Sequence, residues 1–395
     1  MSEEAKPAGP AQDASHRLQS IDIARGLVMA IMALDHVRDY FSTSRADLMD
    51  PEKTTIGIFL TRWLSHYCAP AFFLLAGIGV YLSLSRGKPR ATQAKHLFLR
   101  GLVLLILDLT VIRVAWDFNF HYSSGPWFIV LSTLGLSMMI LAGLQFLPYW
   151  AVLIFSIALI AGHNAFDFVD WLELGAWEPL WYFLHVRSTS EVAGFSFYIS
   201  YPLVPWVAVM SLGYCLGPIF LMEGPRRRQS LFFLGAAMTL GFAMLRGTNA
   251  YGDPRPWTAD HDGVFNFLAL LRTKKYPPSL HYLLMCLGPL LMLMPALESP
   301  KGRLTNVLSK LGRAPLFFYI LHIYVAHALA VLAGAYRGYS LREFLVPYTS
   351  LPEDYGFRLP VVYAVWLLVL AVCYPACVWF ADLKRRSKSK WLAYL

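Results

Sequence analysis

Long apolar blocks alternate with short polar ones along almost the whole chain, and the blocks have the length of helices that cross a membrane. Ten spans are expected, at about 18–42, 57–84, 97–116, 127–146, 149–166, 200–222, 230–246, 279–297, 312–334 and 358–382. A bilayer core of roughly 30 Å takes about 20 predominantly apolar residues of helix. The expected fold class is therefore all-α: a polytopic integral membrane protein with about ten transmembrane helices and both termini cytoplasmic. One transmembrane unit, 18–382, lies between a polar tail, 1–17, and a basic tail, 383–395. The polar tail has no apolar segment followed by a small-residue cleavage site, so the first block is expected to be a retained span.

The pattern breaks most informatively inside that first block. The run LQSIDIARGLVMAIMALDHVRDYF, from Leu18 to Phe41, sets Asp22, Arg25, Asp35, His36 and Asp39 among Leu, Ile, Met, Ala and Val. At about 100° per residue, Arg25 and His36 differ by only some 20° around the helix and share a face. Asp22, three residues before Arg25, can pair with it. An ionisable group within a bilayer costs at least about 2.5–3.5 kcal/mol, so a stripe of them points to chemistry.

Composition sharpens the class and the orientation. The chain is 57% hydrophobic and only 15% charged, far from a soluble balance. Its net charge of +9 is concentrated in alternate connections. Arg86, Lys88, Arg90, Lys95 and Arg100 fall on one side with Arg226–Arg228, Lys301, Arg303, Lys310, Arg313 and Lys384–Arg386. Positive charge marks the cytoplasmic side, so these residues imply topology and contact with anionic membrane lipids, not nucleic acid. The opposite loops, 167–199, 247–278 and 335–357, are longer and richer in Trp, Tyr, Pro and acids. Loop length invested outside suggests binding there. The five cysteines lie in apolar stretches without metal-site spacing and are expected to pack. No nucleotide, nicotinamide or zinc-protease motif is present, and no metal is expected.

Four strings in order resemble the heparan-α-glucosaminide N-acetyltransferase-like group of the transmembrane acyltransferase superfamily. They are Arg17-Leu-x-Ser-Ile-Asp22 through Asp35-His36, His66-Tyr-Cys-Ala-Pro70 through Gly77, Lys275-Tyr276-Pro-Pro-Ser279, and Leu311-Gly-Arg313-Ala-Pro315 through His322. The resemblance extends from Arg17 to about Trp379. The heparan enzyme carries a lumenal domain ahead of its first span, where this sequence has a short polar segment. The resemblance implies an enzyme that takes an acetyl group from cytoplasmic acetyl-CoA and delivers it across the membrane to a saccharide hydroxyl or amine. It also implies that His36 is catalytic.

Acyl transfer from a thioester needs a base for the acceptor or a nucleophile that holds the acyl group. An imidazole can serve as either, so His36 is expected as base or acyl carrier, with Asp35 and His66 as its catalytic neighbours. Arg25, Asp22, Lys275, Tyr276, Arg313 and His322 are expected to contact substrate or CoA. Asp108, isolated in the third span, needs a partner, and Arg113 stands five residues on. The expected partners are acyl-CoA, an extracytoplasmic saccharide acceptor and lipid, with monomer or homodimer both open. The expected location is the bacterial inner (plasma) membrane. The alternative is a proton-coupled or solute transporter that uses the buried Asp, Arg and His residues as a relay.

Overall fold

The computed structural model describes residues 19–387 except 46, 121–124, 170, 193, 261 and 299–301, together with 389, 392 and 394. The tail expected at 1–17 and most of the chain beyond 387 lie outside the described residues. Helix α1 (Gln19–Phe41) is followed by α2 (Ile56–Leu64), which passes through a single 3-10 turn into α3 (Cys68–Leu84). Helix α4 (Arg90–Leu107) continues through a π-helical turn, Asp108–Ile112, into α5 (Arg113–Asp117). Then come α6 (Val130–Leu144), α7 (Tyr149–Gly162), α8 (Glu178–Leu184), α9 (Leu203–Leu216) and α10 (Gly224–Thr248). The chain ends with α11 (Val264–Leu271), α12 (Leu280–Leu293), α13 (Arg303–Leu311), α14 (Pro315–Tyr336) and α15 (Leu359–Arg386).

Among the described residues seven helices are long and apolar enough to cross a membrane: Ile56–Leu84, Tyr149–Phe166, Leu203–Leu221, Gly224–Thr248, Leu280–Leu297, Pro315–Tyr336 and Leu359–Arg386. They coincide with seven of the ten expected spans, and the protein is an integral membrane protein. The other three expected spans are helical without meeting both conditions. Helix α1 is long but carries Asp22, Arg25, Asp35, Arg38 and Asp39, α4 carries Arg90, Lys95 and Arg100, and α6 has only 15 residues.

The all-α expectation needs one correction. Three short strands, β1 (Trp127–Phe128), β2 (Ser188–Val192) and β3 (Phe195–Ile199), form a sheet in the order β1-β3-β2. Strands β2 and β3 are an antiparallel hairpin, with Gly194 at a positive φ in its turn. The alternation Phe-Ser-Phe-Tyr-Ile beside a glycine is a strand signal that aromatic loop composition obscured.

Helix α1 lies at the centre, against α3, α13, α14 and α15, and Ile23, Met29, Ala33 and Val37 are wholly buried. Its polar stripe is therefore enclosed by neighbouring helices. The α3–α9 contact depends on glycine. A Cβ on Gly77 would run into the Met210 carbonyl, and one on Gly213 into the Leu74 carbonyl. Small residues let membrane helices approach this closely. Gly213→Leu should cost about 1–3 kcal/mol or more through overpacking, visible as a lower melting temperature in detergent. A melting curve unchanged by the substitution would mean that α3 and α9 do not pack this way.

Two polar anchors, Arg246 buried and Asp253 half-buried, shape the loop that precedes α12. Arg246, 1% exposed, donates to the carbonyls of Arg255, Ala269, Leu270 and Arg272, which ties the C-terminal end of α11 to α10. Asp253 accepts from the Lys274 N–H at 2.8 Å and from the Ser279 hydroxyl at 2.6 Å. Ser279 in turn caps α12 by accepting from the Tyr282 N–H at 3.1 Å. The loop Lys274–Ser279 is thus closed on itself, with Lys275 and Tyr276 at its turn.

Candidate active site

One cavity of about 870 Å³ links the stripe of α1 to the basic end of the bundle. Asp22, Arg25, Met32, Asp35 and His36 line it from α1. At its wide end stand Arg86, Lys88, His96, Arg100, Arg313, Lys384 and Arg385. Its middle is apolar, with Ala69, Phe72 and Ala76 of α3, Leu134 and Met138 of α6, and Leu316 of α14. The far end holds His36, Lys275, Tyr201 and Tyr319. From Asp22 to His36 the helix rises about 21 Å, at about 1.5 Å per residue. The cavity is thus a long apolar channel with cations at one end and an imidazole at the other.

His36 is fixed by a partner from a distant part of the chain. Its Nδ1 lies 2.7 Å from Nε2 of His322 on α14. Nδ1 of His322 lies 2.8 Å from the Phe318 carbonyl. A carbonyl only accepts, so Nδ1 of His322 carries hydrogen and, in the neutral ring, its Nε2 accepts from Nδ1–H of His36. In the neutral His36 ring Nε2 is then left with a free lone pair, and it makes no hydrogen bond among the described residues. The two rings are nearly parallel, at 14°, with centroids 5.0 Å apart and edges facing across the bond between them, and the Trp116 ring meets His36 edge-on at 4.9 Å. The ring is thus held in place with one nitrogen facing the cavity.

The other expected site residues divide. Asp35 lines the cavity but is bound by the Arg38 guanidinium at 2.8 Å and by Arg62 at 2.5 Å, with Asp39 also on Arg38 at 2.6 Å. It makes no hydrogen bond to His36, because adjacent residues of a helix point about 100° apart. His66 is not among the residues that line the cavity, and its ring packs edge-on against Tyr282 at 5.3 Å. The 3-10 turn between α2 and α3 directs it toward α12. Asp22 pairs with Arg25 at 3.7 Å and lies 3.9 Å from Arg313, while Arg25 donates to the Leu75 carbonyl at 3.1 Å. Arg25 and Arg313 both line the cavity. Asp108 finds the partners it needs on the segment entering α6, accepting from the Ile129 N–H and from the Ser132 N–H and hydroxyl. Arg113 instead pairs with Asp117, four residues on along α5, where i and i+4 share a face.

Lys275 and Tyr276 are neighbours that face different spaces. Lys275 lines the main cavity. Tyr276 lines a smaller pocket of about 240 Å³ with Asp167, Trp181, His185, Arg187 and Lys274. Its hydroxyl lies 3.3 Å from that of Tyr201, which lines the main cavity, so the two phenols stand between the two spaces. Burial acts to raise the Tyr276 phenol, but the charges of Lys275, Arg62 and Arg187 outweigh it and hold the group below the ordinary phenol range.

Among the described residues no cluster of three or more His, Cys, Asp or Glu side chains is arranged to hold a metal ion. All five cysteines are buried and unpaired. Residues 17–246, more than half of the chain, match the family described as heparan-alpha-glucosaminide N-acetyltransferase, catalytic. Asp22, Arg25, Asp35, His36 and His66 fall within the matched region, and Lys275, Tyr276, Arg313 and His322 beyond it. No match is found among curated proteins.

Proposed function

The chain belongs to the heparan-alpha-glucosaminide N-acetyltransferase catalytic family, and from that premise we propose that it moves an acetyl group from acetyl-CoA to an extracytoplasmic saccharide hydroxyl or amine. The observation that carries this reading is the continuous cavity from the basic mouth to His36. Arg86, Arg100, Arg313 and Lys384 suit the CoA phosphates, the apolar middle suits the pantetheine arm, and His36 meets the thioester. The basic mouth is the cytoplasmic end, in keeping with ten spans and both termini inside. The acceptor arrives from the opposite face.

His36 acts through Nε2. In a ternary complex Nε2 takes the acceptor proton as the acceptor attacks the thioester carbon, and then gives it to the departing CoA sulfur. In a two-step route Nε2 itself attacks, CoA leaves, and the acceptor displaces the acetyl group from the ring. His322 serves either route by holding Nδ1–H of His36, and the imidazolium that forms keeps that bond. Labelled acetyl-CoA, added to purified wild type and His36→Ala without acceptor, tests the proposal. Label held by wild type alone supports the two-step route, and CoA-dependent thermal stabilisation without label supports the ternary one. Neither label nor CoA binding would overturn the acyltransferase reading.

His322 is a positioning residue on this reading. His322→Phe should lower kcat about 10- to 100-fold, part of the roughly 10²–10⁴ that a positioned base contributes, with KM for acetyl-CoA unchanged. The pH profile should move with it, and His322→Gln, whose amide oxygen can accept from His36, should restore part of the rate. Equal loss in both variants with an unmoved pH profile would reduce His322 to packing.

A further inference from the structure

Among the described residues, Lys275 is a cation at the His36 end of the cavity with no counter-charge in contact. Its side chain is 91% buried, and it lines the same space as His36. Among the described residues its ammonium makes no hydrogen bond and no ion pair, and its nearest ring contact is Tyr276, with a centroid 5.3 Å away. Asp35, the carboxylate that lines the same end of the cavity, is already bound through one oxygen to Arg38 and through the other to Arg62. The Arg38–Arg62–Asp35–Asp39 cluster is neutral as a whole, so it leaves Lys275 in charge excess. Yet the position is not accidental. Asp253 and the Ser279 cap close the loop that carries Lys275, and Pro277 and Pro278 stiffen it. Asp35, His36 and Cys68 line the same cavity as Lys275. An unmatched ammonium at a partly desolvated spot is costly at rest and most useful to a negative charge that appears there during reaction.

We propose that Lys275 is a catalytic residue that receives the negative charge of the thioester carbonyl oxygen in the transition state. The inference rests on the acetyl-transfer reading and goes beyond it, since that reading assigns only the base. As the acceptor oxygen or nitrogen bonds to the carbonyl carbon, the C=O electron pair moves onto oxygen, and Lys275 donates a hydrogen bond to that oxyanion. The acceptor proton goes to Nε2 of His36. Collapse re-forms C=O and breaks the C–S bond, and the CoA sulfur leaves with the proton from His36. The cation also explains the division of labour at this end of the cavity: His36 manages the proton, Lys275 the charge.

The test uses full-length protein in detergent, acetyl-CoA, and hydroxylamine as a small neutral acceptor, with acetohydroxamate and free CoA as readouts. Lys275→Met should lower kcat by about 10²–10³, the loss typical of one oxyanion donor, with KM for acetyl-CoA within threefold of wild type. Lys275→Arg should recover at least tenfold over Lys275→Met. CoA should stabilise all three proteins equally against heat, and Lys275→Gln replaces Lys275→Met where the latter does not fold. Wild-type activity with Lys275→Met within threefold of it would overturn the proposal and leave the acyltransferase reading intact. That outcome would mean that Lys275 meets an anionic group of the natural acceptor, which hydroxylamine lacks. Loss of CoA stabilisation in Lys275→Met, Lys275→Gln and Lys275→Arg alike would also overturn it, in favour of a structural role. Wild type that releases no CoA with water, hydroxylamine or glucosamine would overturn both.

Discussion

Replacing His36 by alanine is expected to lower acetyl transfer by about 10²–10⁴-fold while CoA still protects the protein against heat. The size follows from the position of the ring. Nδ1 is occupied by His322, Nε2 has a free lone pair, and the side chain lies at the end of the cavity, within reach of a bound thioester. The donor's phosphates would sit at the basic mouth about 20 Å away along the helix, so deleting the imidazole leaves their contacts in place. Activity and donor binding should therefore separate cleanly. Steady-state transfer together with the CoA-induced shift in Tm checks this. Turnover within threefold of wild type would remove His36 from the chemistry, whereas joint loss of turnover and donor binding would recast it as a packing residue.

Asp35→Ala should be the most damaging change to stability on the same helix. Arg38 is 1% exposed and holds Asp35 and Asp39 together, while Arg62 reaches Asp35 from the neighbouring helix α2. Removing the shared carboxylate leaves two enclosed guanidinium groups with one acid between them. Breaking a buried pair in this way costs about 3–5 kcal/mol. Thermal unfolding in detergent should show a large drop in Tm, with only part recovered in Asp35→Asn, which keeps an acceptor but no charge. Asp35 as a direct catalytic group, the expectation from its place beside His36, predicts the reverse: Asp35→Asn folded as well as wild type and inactive. The two outcomes do not overlap.

That contrast shows where the sequence is legible and where it is not. The stripe of Asp22, Arg25 and His36 could be seen because all three lie on one helix, where angular spacing determines which residues share a face. The apolar blocks revealed the helices for the same local reason. The ring that determines which nitrogen of His36 is free lies 286 residues away, and no local period points to it. Asp35 and His36 are adjacent in sequence, and that adjacency suggested a shared role, yet helical geometry turns them to different partners. Asp108 announced the need for a partner, but the partners, the Ile129 and Ser132 N–H groups and the Ser132 hydroxyl, lie about twenty residues on and only the fold brings them there. Lys275 is an intermediate case. The prolines and serine after it announced a turn entering a helix, but only the fold brings that turn to the end of the α1 cavity.

The bond from His322 to the Phe318 carbonyl closes one exit for protons. A carbonyl oxygen does not relay a proton, so a hydrogen taken up by His36 has no onward path through its partner ring. On the proposed ternary route it leaves on the CoA sulfur. Each acetyl group delivered outward to a hydroxyl then returns one neutral hydrogen inward, and no net charge crosses the bilayer. The voltage across a membrane is worth about 2.3 kcal/mol per elementary charge per 100 mV, and it does no work on such an exchange. Transfer would thus run at the same equilibrium in an energised cell and a depolarised one, set by the ratios of acetyl-CoA to CoA inside and of acceptor to acetylated product outside.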